Sequence, residues 1–341
     1  MNDDPDPERL RSWLAEVLDS AVSAVSVTKL AGGHSSGAWK LDLTVATQAR
    51  ALVLKAPTQP SVVFRRDAIR EAQILAGVHR RGAPVPAVVA VDDGVRSVGR
   101  PCFIMAHVVG RSVTDTAGGY HVDPLLRAVG VDGQREVWES FHDAHAALHA
   151  VDASQVPAAR LGDRGLVDVL AYRRESLLDA APVNAVPRQV AAIDWLAANV
   201  PAGADDAPSV CLGDARLVNA LLVGAEVRAL VDFEVAYVGN LAADIAYSLL
   251  LDDSARRHVS DPLALPSPDD TWARWSRVTG RPVTHRDYWT AFAATILCVT
   301  ASRAMIQWGV ATVDNVEAAN PTVARWESAV QRAARNSATG S

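Results

Sequence analysis

The order of apolar and polar positions divides the chain into a β-patterned front and a helix-patterned back. After a polar tail over residues 2–8, Arg9–Asp19 carries apolar residues at helical spacing and predicts an amphipathic helix. From Val25 to Lys55 the texture changes to strand-like segments. It predicts strands at Val27–Leu30, Ala38–Val45 and Ala51–Lys55 with turns between them. A helix is expected over Arg65–Arg81, ended by Gly82 and Pro84. Short strands follow at Ala87–Val91 and Pro101–Val108. Beyond Gly110 the period is helical at Gln134–Val151, Val167–Leu178 and Val186–Asn199, broken by a β-rich interlude at Ser209–Phe233 and resumed from Ala242 to Arg335. A small β-rich part joined to a larger helical part with an embedded hairpin predicts an α+β protein with two lobes.

Charge follows the same division. Residues 1–106 hold 13 basic and 11 acidic side chains, four of the acids lying before Arg9, whereas residues 107–341 hold 20 and 28. The folded front is therefore mildly positive and the back negative. A net charge of −6 lacks the broad basic surface that phosphate backbones demand, so a nucleic-acid partner is not expected. The acidic, apolar-poor start has the wrong chemistry for a targeting segment. No apolar run is expected to span a bilayer, because Ala291–Ala301 is followed at once by Ser302 and Arg303. Cys102, Cys211 and Cys298 are odd in number and set in apolar surroundings, which suits free thiols in a reducing cytosol.

Three stretches carry candidate chemistry. In VCLGDARLVNALLVGAEVRALVDFE, residues 210–234, Asp214 and Asp232 stand at strand exits. A turn centred on Ala225 and Glu226 would pair Val223 with Arg228 and so set Asn219 opposite Asp232. A carboxylate and an amide oxygen so placed can share a hard cation such as Mg²⁺, with Asp214 beside it as a base. A plain hairpin with polar ends fits the same spacing. Secondly, only 3 of the 33 basic residues are lysines, and one of them, Lys55, lies in the apolar strand ALVLK. Glu71 shares a helix with Ile74, Leu75 and Val78, so its carboxylate adjoins the buried stripe and needs a partner. Lys55 can supply it, as a working pair or as a purely structural one. Thirdly, LAGGHSSGAWKLDL at 30–43 is a Gly/Ser loop between strands. Its backbone and hydroxyls can approach a phosphate, although no P-loop pattern follows. His142, His145 and His149 share a helical face, which reads as packing in preference to a zinc site. The tryptophans of the last third (Trp272, Trp275, Trp289, Trp308, Trp326) fit core packing or an acceptor wall.

In this order the segments resemble the aminoglycoside phosphotransferase family of the protein-kinase-like fold. They are the Gly/Ser loop, VLK at 53–55, REAQIL at 70–75, FIMAHVVG at 103–110, LHAVD at 148–152, LGDARLVN at 212–219, VDFE, and AADIA at 242–246. GDxRxxN with D-F-E is most similar to the kinase-like domain fused to certain acyl-CoA dehydrogenases. The resemblance implies an N-terminal helix and tail over 1–24, a nucleotide-binding N-lobe over 25–106 and a C-lobe over 107–341. It implies an ATP- and Mg²⁺-dependent transfer of the γ-phosphate to the hydroxyl of a small molecule, away from membranes. The acceptor could be an aminoglycoside-like antibiotic, a hydroxyacyl thioester, or a sugar-like or choline-like metabolite. Gly32, Gly33, Ser35 and Ser36 would line the nucleotide, Lys55 would hold its phosphates with Glu71 orienting it, and Met105, Ala106 and Val108 would form the hinge at the base. Asp214 would be the catalytic base, Arg216 a γ-phosphate contact, Asn219 and Asp232 the metal ligands, and Asp244 a brace for the loop. The family's usual His two positions before the base is Leu212 here, which leaves a nucleotide-binding pseudokinase or a scaffold module as the other reading.

Overall fold

The computed structural model describes residues 4–30, 37–57, 61–94, 96–116 and 118–338. It begins with helix α1 (Pro7–Val17), started by the Asp6 carboxylate, which accepts the Glu8 N–H, and by Pro7 in the first turn. Strands β1 (Val22–Lys29), β2 (Ala38–Val45), β3 (Gln48–Lys55), β4 (Val88–Asp92) and β5 (Cys102–Ala106) form one antiparallel sheet of order β1-β2-β3-β5-β4. Burial in β2 alternates strictly, as a strand with one covered face requires. That face packs Trp39, Leu41 and Leu54 against Leu10, Trp13 and Leu14 of α1. Helix α2 (Ala68–His79) is capped by Asp67, whose carboxylate accepts from the N–H groups of Ile69 and Arg70. Its Ile74, Leu75 and Val78 join Phe103 in a second core that continues into the back lobe.

The back lobe adds α3 (Pro124–Ala128), α4 (Gly130–His149), α5 (Leu166–Ala180) and α6 (Pro187–Ala198). Two small ribbons follow. Strand β6 (Ser209–Cys211) pairs with β9 (Tyr237–Gly239), and they enclose the hairpin β7 (Ala220–Val223) and β8 (Glu226–Leu230). Helices α7 (Ala242–Arg256), α8 (Pro268–Thr279), α9 (Arg286–Gln307), α10 (Val316–Ala319) and α11 (Val323–Ala338) complete the chain. The α+β arrangement of a small sheet lobe and a larger helical lobe is therefore as the sequence predicts.

Helix α9 is long and apolar enough to cross a membrane by length and composition, despite the Ser302 and Arg303 that were expected to end the run. It instead packs against α5, α6, α7 and α11. In its most apolar window 61% of the residues are buried, so its apolar faces are satisfied by protein. The late tryptophans divide in the same way: Trp272, Trp275, Trp289 and Trp326 belong to the core around α9, while Trp308 is half exposed.

Candidate active site

The sheet delivers Lys55 at the last position of β3, opposite Phe103 of β5. Its Nζ donates to Glu71 Oε1 at 2.6 Å and to Asp232 Oδ1 at 2.6 Å. The Lys55 and Glu71 side chains are almost wholly buried, and Asp232 keeps 28% of its side chain exposed. Burial alone would lower the Lys55 pKa, but Asp232 and Glu71 outweigh it and hold the ammonium above its ordinary range. Burial pushes Glu71 up against the pull of Lys55, whereas Lys55 prevails over burial at Asp232 and holds that carboxylate down. Asp232 has φ 69°, in the left-handed region, so the chain turns sharply where the carboxylate is presented.

The second element is the loop after β6. Gly213 has φ +79°, and a Cβ there would come within 2.5 Å of the Val235 carbonyl oxygen, so the residue before Asp214 must be glycine. Asp244, at the start of α7, fixes this loop. Its carboxylate accepts from the backbone N–H of Leu212 at 2.8 Å and of Gly213 at 2.9 Å, and bonds to His149 Nε2 at 2.9 Å. The Leu212 side chain is buried in the core shared with α4 and the hairpin. The loop is thus held through its backbone, and the position where the family's usual His was missed is an apolar packing site.

Asp214 is partly exposed and well partnered. Arg216 donates Nε to both of its oxygens at 2.9 and 3.0 Å and Nη2 to Oδ2 at 2.9 Å. Asn219 Nδ2 donates to Asp214 Oδ2 and to its backbone carbonyl, both at 2.9 Å. Arg216 Nη1 reaches Asp115 at 3.3 Å, so one guanidinium bridges two acids. Burial works against the Arg216 charge, yet Asp214 outweighs it and keeps the pKa above the usual arginine range.

The hairpin register differs from the expected one. Gly224 and Ala225 form the two-residue turn, so Val223 pairs with Glu226, and a bulge shifts the ladder between Leu221 and Leu222. Asn219 consequently faces Val231, whose N–H donates to its carbonyl at 2.9 Å, and Asp232 lies one residue past the pair. Spacing alone conceals this, because a bulge consumes a residue without changing the sequence pattern. At the strand end Met105 lies in β5, the Ala106 N–H is committed to the Ala87 carbonyl, and Val108 follows the strand half-buried. The expected phosphate-lining Gly32, Gly33, Ser35 and Ser36 lie outside the described residues.

Sequence reasoning missed several ties. Arg66 pairs with Glu234 at 2.7 Å with both side chains nearly buried, and Arg70 donates to the Ala236 carbonyl at 2.6 Å. Together they fasten the start of α2 to the segment after Asp232. Burial and the nearby Asp232 charge push Glu234 up to about 7 despite Arg66. Nothing in the local pattern marks these arginines among so many. His149, Cys211 and Asp244 place possible ligand atoms within 4.8 Å of one another. Burial keeps Cys211 well above its ordinary pKa, in the thiol form, and Asp244 is already committed to backbone N–H groups, so hydrogen bonding accounts for the cluster. His142 packs edge-on against Trp138, in keeping with a structural histidine face.

The oxygen donors of Asp232 and Asn219 are of the kind that a divalent cation takes. Asp232 is the partly exposed carboxylate, and the Asn219 amide turns its nitrogen to Asp214, so its oxygen points elsewhere. Lys55 and Arg66 stand beside Asp232 and Glu234, and Lys55 holds Asp232 in its charged form.

The whole fold is similar to a candidate aminoglycoside phosphotransferase from Ralstonia eutropha, with TM-score 0.72 and 19% identity over 97% of this chain and 99% of that one. A thermostable mutant of aminoglycoside phosphotransferase APH(4)-Ia, in ternary complex with ADP and hygromycin B, aligns with TM-score 0.57 and 14% identity over 94% and 98% of the two chains. In sequence the chain is 25% identical over 207 residues to acyl-CoA dehydrogenase family member 10 of Mus musculus, covering 59% of this chain and 18% of that protein. It spans between 18% and 28% of the length of the curated relatives it matches. Residues 26–287, which run from β1 through the paired acids to the start of α9, match the family model described as the phosphotransferase enzyme family, and the chain belongs to that family.

Proposed function

We propose that the chain is an ATP- and Mg²⁺-dependent phosphotransferase that moves the γ-phosphate to a hydroxyl of a small molecule. The observation that carries this reading is the joining of Lys55, Glu71 and Asp232 from β3, α2 and the hairpin exit, beside Asp214 on a loop braced by Asp244. Lys55, kept charged and oriented by Glu71, contacts the α- and β-phosphates. Asp232 and Asn219 would hold the cation, which would neutralise charge on the phosphates. The carbonyl of Ala106 and the backbone of Val108 meet the base. By the family resemblance, Gly32, Gly33, Ser35 and Ser36 would contribute backbone and hydroxyl donors to the phosphates.

Asp214 accepts the proton of the acceptor hydroxyl as its oxygen bonds to the γ-phosphorus and the bond to ADP breaks. Its carboxylate must first be exposed to the acceptor, because Arg216 covers both oxygens. Arg216 leaves Asp214 for the γ-phosphate, and Asp115 holds the other side of its guanidinium. The covered base is also the observation that favours the second reading, a nucleotide-binding module without turnover. Among acceptors, an aminoglycoside is suggested by the ternary complex of the solved relative, and a hydroxyacyl thioester by the relatives named as acyl-CoA dehydrogenases.

Nucleotide-dependent melting tests the core of the proposal. At 100 times Kd, a ligand that binds only the folded chain adds about 2.7 kcal/mol. For 341 residues that is a rise of about 4 °C. Lys55→Ala should remove most of the rise, and Lys29→Ala, exposed on β1, should retain it. An equal rise in both variants contradicts the assignment of Lys55.

A further inference from the structure

A cavity of about 200 Å³ lies between the segment after β5, α4, residues 215–218 and α7, and Arg216 on its wall is bonded to Asp214. Its broad walls are the rings of Tyr120, Trp138 and Phe141 with the side chain of Leu251. The polar tips of these rings point away and are committed: the Tyr120 hydroxyl donates to Asp252 at 2.7 Å, and Trp138 Nε1 donates to Thr271 at 3.0 Å. The Ser248 hydroxyl on the wall donates to the Ile245 carbonyl. Thr116 and Ser254 add two hydroxyls to a lining that is otherwise mainly ring faces and hydrocarbon. Its charged lining residues are Asp115 and Arg216, 3.3 Å apart, and Arg216 is shared with Asp214, so one positive charge stands against two negative ones. Arg216 is also the residue that covers the Asp214 carboxylate, so one wall of the cavity is the gate to the base.

We infer that this cavity is the acceptor subsite and that it takes an alcohol with an aryl or alkyl body, not a polycation. The inference rests on the reading of Asp214 as the base of a phosphotransferase. A guest carrying several ammonium groups would need several carboxylates, whereas Asp115 and Asp214 share Arg216 and leave one uncompensated negative charge. An apolar body gains by leaving water for the rings, with its hydroxyl toward Arg216 and Asp214. A cavity of 150 Å³ holds benzene, so one of this size suits a phenyl ring with a short tether. The transfer balances: the hydroxyl proton goes to Asp214, the oxygen–phosphorus bond forms, the bond to ADP breaks, and a phosphate monoester and ADP leave.

The test uses 3-phenyl-1-propanol and hygromycin B as probes, with saturation-transfer NMR for binding and coupled ADP release for turnover. Ala255→Phe and Ser254→Phe, both on half-buried wall positions of α7, narrow the cavity without touching the phosphate side. The expected result is saturable alcohol binding and alcohol-dependent ADP release in the unmodified chain. Binding should weaken at least tenfold in whichever filled variant retains its melting temperature and ATP affinity. Hygromycin B binding or turnover at the level of the alcohol overturns the acceptor class. Absence of alcohol binding with ATP binding intact overturns the cavity assignment and leaves the phosphotransferase reading in place. Alcohol binding without ADP release in the presence of bound ATP and Mg²⁺ overturns the acceptor role of the cavity.

Discussion

Asp244 and Asp214 are both acids at the same loop, and Asp244→Asn separates their duties by stability alone. Asp244 is 1% exposed and accepts two backbone N–H groups besides its bond to His149. An asparagine has the same shape but presents one acceptor oxygen and an amide that meets an N–H head-on. The change loses a charge-assisted hydrogen bond and leaves a buried N–H unmatched, together about 3–5 kcal/mol. For a chain of 341 residues this lowers the melting temperature by about 4–7 °C. Asp214 accepts from the side chains of Arg216 and Asn219 and keeps 20% of its side chain exposed, so Asp214→Asn should shift melting by about 1 °C or less. Scanning calorimetry of the two variants beside the unmodified chain decides it. Equal shifts, or a larger one for Asp214→Asn, would refute the division between a loop brace and an exposed acid.

Two further outcomes follow from the same geometry. Asp232→Ala should abolish the Mg²⁺ dependence of nucleotide binding and Asn219→Ala should weaken it less, because the carboxylate carries charge and the amide only a dipole; a fluorescent-nucleotide titration against Mg²⁺ reads both. His145 is buried between Phe141 and His149, and burial lowers its pKa from 6.5 to about 4. The folded chain therefore binds fewer protons there than the unfolded one, and the stability it contributes above pH 6.5 is lost as pH falls through about 4. His145→Leu should flatten the melting-temperature profile across that window, by an amount on the order of 3 kcal/mol.

The sequence displays those parts of the site whose residues are unusual for their local pattern. A lysine ending an apolar strand, in a chain that otherwise uses arginine, marks Lys55, and an acid beside an apolar helical stripe marks Glu71. Asp214 and Asp232 stand out because each ends an apolar run. Features set by tertiary contact leave no such trace. The covering of the sheet by Leu10, Trp13 and Leu14 joins segments with nothing local in common, and α1 therefore reads only as an amphipathic helix. The bulge that sets Asn219 opposite Val231 is invisible to spacing, and Arg66 and Arg70 differ in no local respect from surface arginines. Helix α9 misleads for a related reason: composition reports that its faces are apolar, and packing decides that protein covers them.

Transfer of labelled γ-phosphate from ATP to an acceptor alcohol, measured in single turnover for the unmodified chain and for Asp214→Asn, tests the central claim most directly. The account predicts that nucleotide affinity is nearly unchanged, since the isosteric amide need not touch ATP. It also predicts that the rate of phosphate transfer falls by about 10²–10⁴, the usual contribution of a positioned general base. Transfer that survives Asp214→Asn undiminished would contradict base catalysis at this loop. Tight ATP binding with no transfer to any hydroxyl acceptor by the unmodified chain would contradict the phosphotransferase reading itself.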